Sequence, residues 1–510
     1  MSTNLVSGLV SGFDWRSMID QLIAIEHQRV DLVEDRKSEY ESKLTEWQSV
    51  NTMLLSLKTA SDNLSTESAF NVYTASTTSD TSTSASDRLT VSTSSSASPG
   101  MHQIRVDNLA QSNKISSNSY AATDTALSLT AGDILISGKV VNIAATDTLS
   151  DIEDKINNSN TGSSPSNVTA SIVQYGTNDY RLVLTNDDTG ADGISILNGS
   201  ANDILFELGF KDTTRTAKTH ITGGDKSDGF TSTDENIKTL LGLSTTQTSA
   251  LGDIKINIGG GDLAVAAIDL SSDSLEDIRA KFAAAGVDAS IITETVDGTN
   301  YYRILIEGGS NTYTDKNNIL ETLGIITGGA SDVKGVIGDT SNTKDGAYIT
   351  SSTLIKDIDG YSGWAANDYI HLTGKNTSDV AVDDSTLTLT AVATVGDLLT
   401  KIDSVFGAVA GDVTSSVTAD GKIMVVDNTN GPVLDVEIAV KDNGGASDNT
   451  LNFDADDDLG VTASLRSREV ATGEDASIAV DGVTVTNSSN TLTDVIAGVT
   501  LNLVGEDAVG

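Results

Sequence analysis

Four histidines, two glycine-rich stretches and three alternating aspartates are the residues whose types could do chemistry. His27, His102, His220 and His371 stand far apart and form neither an HExxH nor an HxH pattern, so no zinc-hydrolase signature is present. His27 falls in a helical stretch, where packing or solvation accounts for it. Gly360-Tyr361-Ser362-Gly363 misses the spacing of a nucleophile elbow. Gly259-Gly260-Gly261 lacks the spacing of a dinucleotide loop, and there is no P-loop. Asp454, Asp456 and Asp458 alternate as calcium ligands do. Yet Leu459 stands where an EF-hand needs glycine, and Leu465 where it needs the bidentate glutamate, so a solvated acidic turn is expected. The residues therefore point to a protein that is not an enzyme and that takes no cofactor or metal.

Composition narrows the partners. The net charge is −41, from 72 acidic and 31 basic side chains, a field that repels phosphate backbones and anionic membrane surfaces. No stretch approaches a membrane-spanning length of apolar residues. With no cysteine, disulfides and thiolate metal sites are excluded. A chain of 510 residues has room for about three or four domains.

The elements that organise this chain begin with a long helix. Asp14 stands at an N-cap position, and no proline or glycine occurs between Phe13 and Pro99. Ile23, Val30, Val33, Tyr40, Leu44, Trp47 and Leu54 step by seven, or by three and four, as a coiled-coil seam requires. Ile19, Leu22, Val50, Leu57 and Leu64 widen that face, while Glu26, Lys37, Asn51 and Lys58 interrupt it. The pattern predicts a helix from Trp15 to Asn63, roughly 70 Å long. Such a helix needs a partner helix, from this chain or another copy. Ahead of it, Leu5, Val6, Leu9, Val10 and Phe13 alternate with serine and glycine, and the first basic residue is Arg16. That is not the order of a cleaved secretory leader. Residues 1–14 are expected to form a flexible apolar segment that orders on a partner.

Past the helix the period changes to two. An alternation begins at Val72, and strands are predicted over Leu89–Thr93 and His102–Val106, with a turn at Ser98-Pro99-Gly100 joining them. A diverged repeat follows. Helical segments TLSDIEDKIN (148–157), SLEDIRAKFA (274–283) and TVGDLLTKID (394–403) each follow strands and precede a hairpin-like pair. The first two units also share the endings ILFELGF (204–210) and ILETLGI (319–325). The last stretch predicts strands Ala476–Val480, Val483–Asn487 and Val499–Leu503, with 491–499 as a turn-like echo of the helical motif.

Four stretches carry a family resemblance: LVSGLVSGFDWRSMIDQLIAIE, ESAFNVYTAST, SSSASPGMHQIRVDNLAQSNKI and IAVDGVTVTNSSNTLTDVIAGVTLNL. Together they resemble the bacterial flagellar filament-cap family, FliD, and the repeats resemble the hook and flagellin IN modules inserted in that family. The resemblance implies an α+β, multi-domain fold, with a long N-terminal coiled-coil helix followed by mainly β domains with short helices. On that reading 15–66 is the leg helix and 67–118 the adjoining β part. Residues 119–212, 213–345 and 346–462 are three IN-like modules, and 463–510 returns to the leg-adjacent domain. The family continues into C-terminal helices, so a chain ending at Gly510 is expected to be truncated.

The function implied is a cap at the distal filament end that promotes insertion and folding of exported flagellin. Leu5, Val6, Leu9, Val10 and Phe13 would dock on axial subunits. The implied partners are further copies of the chain in a ring of five, flagellin, the hook-associated junction protein and an export chaperone, with no nucleic acid and no membrane insertion. The implied location is the extracellular flagellum tip, reached through the flagellar export apparatus. Two other classes stay open: another flagellar axial protein, at the hook–filament junction or as an IN-containing flagellin, and an extracellular β-module adhesin serving cell adhesion.

Overall fold

The structure is a computed structural model that describes residues 14–65, 73–296, 298–361, 363–409, 411–429, 433–446, 451–454 and 458–507. The chain divides into two compact units, Met1–His102 with Thr491–Val504, and Gln103–Asn490 with Gly505–Gly510.

In the first unit a single α-helix runs from Trp15 to Ser65. Asp14 caps it, its Oδ1 accepting from the backbone N–H groups of Arg16 (3.2 Å) and Ser17 (3.1 Å). The same unit holds a three-stranded antiparallel sheet in the order Leu89–Thr93, Val499–Leu503, Thr491–Ile496. Leu89 faces Leu503 and Thr93 faces Val499. Leu89, Leu492, Leu501 and Leu503 are buried on it.

Three expectations are corrected here. The turn at Ser98-Pro99-Gly100 does not join a hairpin: Leu89–Thr93 pairs with Val499–Leu503, and the second strand, Ile104–Asn108, pairs with Ala476–Val480. Residues 491–499 form no helical echo; they are a strand, Thr491–Ile496, turning into the next. Gly498 makes that turn at φ +72°, and a Cβ there would lie 2.4 Å from the Ala97 nitrogen. The alternation from Val72 yields no strand over 73–79, and Val72 itself lies outside the described residues.

The second unit opens on the sheet Ile104–Asn108, Ala476–Val480, Val483–Asn487. It then builds three hydrophobic cores, drawn from residues 115–210, 135–326 and 336–459. Each core takes one of the three repeated helices, Leu149–Ser159, Leu275–Ala284 and Val395–Phe406. The buried positions recur at one spacing: Leu149, Ile152, Ile156; Leu275, Ile278, Phe282; Val395, Leu398, Ile402. That is one face of a helix. All three start with a reciprocal capping box, Thr148 with Asp151, Ser274 with Asp277 and Thr394 with Asp397. The predicted hairpins follow as Val168–Gly176 with Asp179–Asn186, Ala289–Val296 with Thr299–Glu307, and Val413–Val417 with Ile423–Asp427.

Buried charges join the modules. Asp133 accepts from the Ser244 N–H (2.7 Å), the Thr245 N–H (3.1 Å) and the Asn142 amide (2.9 Å). Burial alone would raise its pKa, but these bonds hold it below the ordinary aspartate value. Glu321, fully buried, accepts from the Asn198 N–H at 3.0 Å and lies 3.3 Å from Arg215. Arg466 donates to the Ser116 carbonyl (3.1 Å), Asn118 Oδ1 (2.7 Å) and the Gly209 carbonyl (3.2 Å). Burial pushes its pKa down to about 10, helped by Arg468 and Arg181.

Asp315 accepts from the N–H groups of Ile319 and Glu321, both at 2.9 Å. Burial lifts its pKa to about 7, against those two bonds and Arg215, with the Glu321 charge adding to the rise. The folded state therefore holds this proton more tightly than the unfolded chain, whose aspartates titrate near 3.8. The stability that follows is full below the unfolded value and is lost as pH rises through about 7. Urea midpoints should fall from pH 5 to pH 8 in the wild type. Asp315→Asn should be less stable at pH 5, having lost one acceptor, and its midpoint should show a flatter pH slope.

Candidate functional site

Among the described residues no group of three His, Asp or Glu side chains is placed to hold a metal ion. His220 Nδ1 lies 2.8 Å from Oδ1 of the buried Asp225, and His371 Nε2 lies 3.3 Å from the exposed Asp384, two unconnected pairs. The feature that stands out is an uncovered apolar face.

That face is the seam of the long helix, which has no buried residue. Ile23, Val30, Val33, Tyr40, Leu44, Trp47 and Leu54 all lie on it, all exposed, from 51% at Ile23 and Val30 to 71% at Trp47. Exposed single apolar residues are ordinary; here seven recur along one face of a helix, broken by Glu26, Lys37, Asn51 and Lys58. A shallow concavity on it lies among Val33, Lys37, Tyr40 and Leu44. Leu5, Val6, Leu9, Val10 and Phe13 lie outside the described residues.

Charge is patterned around the seam. Arg29, Arg36 and Lys43 follow one flank, and Asp20, Glu34 and Glu41 the other. Glu39 and Lys43 meet at 2.5 Å and Lys58 and Asp62 at 2.5 Å, pairs one helical turn apart. The hydrogen bond from Lys43 holds the Glu39 carboxyl below its ordinary pKa. Sequence reading found the seam because its period is local. It missed the two flanks, whose sign pattern emerges only once the seam is placed on a helix. It also missed the Arg215–Glu321 and Arg466 junctions, whose partners lie a hundred or more residues away and carry no local signal.

Residues 11–113 match the family model for the flagellar hook-associated protein 2 N-terminus, and residues 473–509 that for its C-terminus. The fold joins these two stretches, since Leu89–Thr93 pairs with Val499–Leu503 and Ile104–Asn108 with Ala476–Val480. Flagellar hook-associated protein 2 of Escherichia coli O157:H7 is 29% identical over 206 residues, covering 39% of this chain and 41% of the relative. The protein of the same name from Escherichia coli strain K12 is 28% identical over 206 residues, covering 39% and 42%. The chain thus matches about two fifths of the length of these curated relatives. Among solved structures, the D1-D2-D3 domains of the flagellar cap protein FliD from Escherichia coli align over 91% of this chain and 59% of that one, at 14% identity and TM-score 0.32. FliD from Helicobacter pylori aligns over 82% and 96%, at 15% identity and TM-score 0.24. Superpositions this loose fix no arrangement of modules.

An uncovered seam predicts an asymmetry in stability. Trp47→Ala should change the unfolding free energy of the β part by less than about 0.5 kcal/mol, because the side chain buries nothing. Phe282→Ala, inside a core, should lose about 3–5 kcal/mol. Urea unfolding followed by tyrosine fluorescence reads both.

Proposed function

We propose that this chain, which carries the N- and C-terminal regions of the flagellar hook-associated protein 2 family at its two ends, caps the distal end of a bacterial flagellar filament. The observation that carries the reading is the coincidence of the family-matched ends with the exposed helical seam: the N-terminal match includes the whole helix. The reading invokes no covalent chemistry. Copies of the chain gather in a ring of five at the extracellular tip. Their long helices reach down to the axial subunits, and the β modules form a plate under which exported flagellin folds and is inserted. Leu5, Val6, Leu9, Val10 and Phe13 order in an axial groove, offsetting their loss of entropy by burial. The hook-associated junction protein is the first surface the cap meets, and an export chaperone holds the chain before secretion through the flagellar apparatus.

The three repeated modules, each with its own core, suit the plate; the helix, with none, suits the leg. Antibody labelling of isolated filaments should mark the tip alone. Labelling at the junction only, or along the whole filament, would instead support the other axial roles. In a strain lacking the gene, a full-length copy without residues 2–13 should leave filaments short or absent. Filaments of wild-type length would remove the docking role from that segment.

A further inference from the structure

The third module is mounted differently from the first two. The first two share packing: Leu135 and Leu197, from strands of the first, sit in the second core, and the buried Glu321 of the second accepts from Asn198 of the first. The third core is drawn from residues 336–459 alone. The chain enters that module along Val333–Ile337 and leaves it along Ala463–Arg466, and these two strands pair antiparallel as a neck.

At the foot of the neck the register shifts between Val333 and Lys334. Just below it, Arg468 donates to the Ser331 carbonyl at 2.6 Å, and its own carbonyl accepts from the Ser116 N–H at 2.8 Å. Arg468 therefore belongs to the base on which the neck stands. Arg466 belongs to the neck, paired with Val333, yet its guanidinium crosses to the first module. It donates to the carbonyls of Ser116 (3.1 Å) and Gly209 (3.2 Å) and to Asn118 Oδ1 (2.7 Å). That approach depends on Gly209, which stands at φ +84°, where a Cβ would lie 2.2 Å from Asn118 Oδ1. A second side-chain bond at the foot, Ser464 Oγ to Asp332 Oδ2 at 2.7 Å, is exposed. Between base and neck lie Ser467 on one strand and Asp332 on the other, a short pivot of the kind hinges use.

The joint is polar and imperfectly satisfied. The three acceptors of Arg466 are uncharged oxygens, and Arg468 and Arg181 add charge of its own sign. The Tyr120 hydroxyl and Arg468 Nε are buried with no hydrogen-bond partner. Water admitted on opening would satisfy both and hydrate the guanidinium, offsetting the bonds given up. The cores stay closed, since the third shares none of its residues with the other two.

We propose that Arg466 is a latch that sets the angle of the third module, and that its release lets this module swing on its neck about Ser467 and Asp332 as an intact body. The latch rests on this packing alone and holds whether or not the chain caps a filament.

The chain has no cysteine, so pairs of dyes can be placed at chosen sites. Full-length protein labelled at Ser171→Cys and Thr386→Cys, both exposed, reports the first module against the third by single-molecule energy transfer. Ser171→Cys with Thr295→Cys, also exposed, reports the first against the second. Both pairs should give narrow distributions in the otherwise wild-type chain. Arg466→Ala should broaden the 171–386 distribution and leave the 171–295 distribution narrow. Asn118→Ala, which removes the shortest of the three acceptors, should broaden the same distribution to a smaller extent. In hydrogen exchange the amides of Tyr369–Lys375 and Thr299–Glu307 should keep their wild-type protection in both variants, which separates a swing from unfolding. A 171–386 distribution that stays narrow in both variants, or that is already as broad in the wild type, would overturn the latch. Broadening of both dye pairs, or lost protection in those strands, would mean a loosened fold in place of a swing and would overturn it equally.

Discussion

An α-helix in water draws most of its stability from burying one face, and the helix Trp15–Ser65 buries none of its residues. The rest of the molecule arranges itself around that fact. From Leu89 onward the chain spends its apolar residues on its own sheets and three cores, each closed by a capped helix. Before that it leaves Ile, Leu, Val, Tyr and Trp side chains in the open. The β part packs its apolar residues on itself, its first two modules sharing core residues such as Leu135 and Leu197, while the helix buries none.

Within the β part, a few buried charges bridge segments that are distant in sequence. Only 31 basic residues face 72 acidic ones, yet arginines are used where segments distant in sequence must meet. Arg466 reads carbonyl and amide oxygens from three separate positions, and Arg468 donates to the Ser331 carbonyl at 2.6 Å. Asp212 receives the Ser331 hydroxyl at 2.5 Å, and Asp133 gathers the N–H groups of Ser244 and Thr245. A buried ionic group of this kind adds little net stability, but removing one partner leaves the other stranded and costs about 3–5 kcal/mol.

What the sequence disclosed and what it hid divide along the range of the interaction. The long helix emerged from its seam and its Asp14 cap, both local, and it spans Trp15–Ser65. The three repeated helices and their hairpins were legible because each carries its cap and its turn within a short window. The misreadings concern strand partners. Ser98-Pro99-Gly100 has the chemistry of a turn but not of a hairpin, because both flanking strands are claimed by the far end of the chain. In 491–499, a few apolar residues at helical spacing were outweighed by Thr491, Thr493, Val495 and Ile496, whose branched side chains suit a strand. At the candidate site, the seam residues were readable from period alone, whereas the segment Leu5–Phe13 rests on sequence only.

The pairing of Leu89–Thr93 with Val499–Leu503 sets an order on events. Residues 94–498 must all be threaded out before the first strand meets its mate. A chain emerging N-terminus first would carry an unsealed edge until then, and Lys114–Ser116 would likewise wait for Glu469–Ala471, while the hairpins inside the modules form locally. The fastening of that first sheet thus comes after the modules' own hairpins, once the turn at Gly498 has emerged.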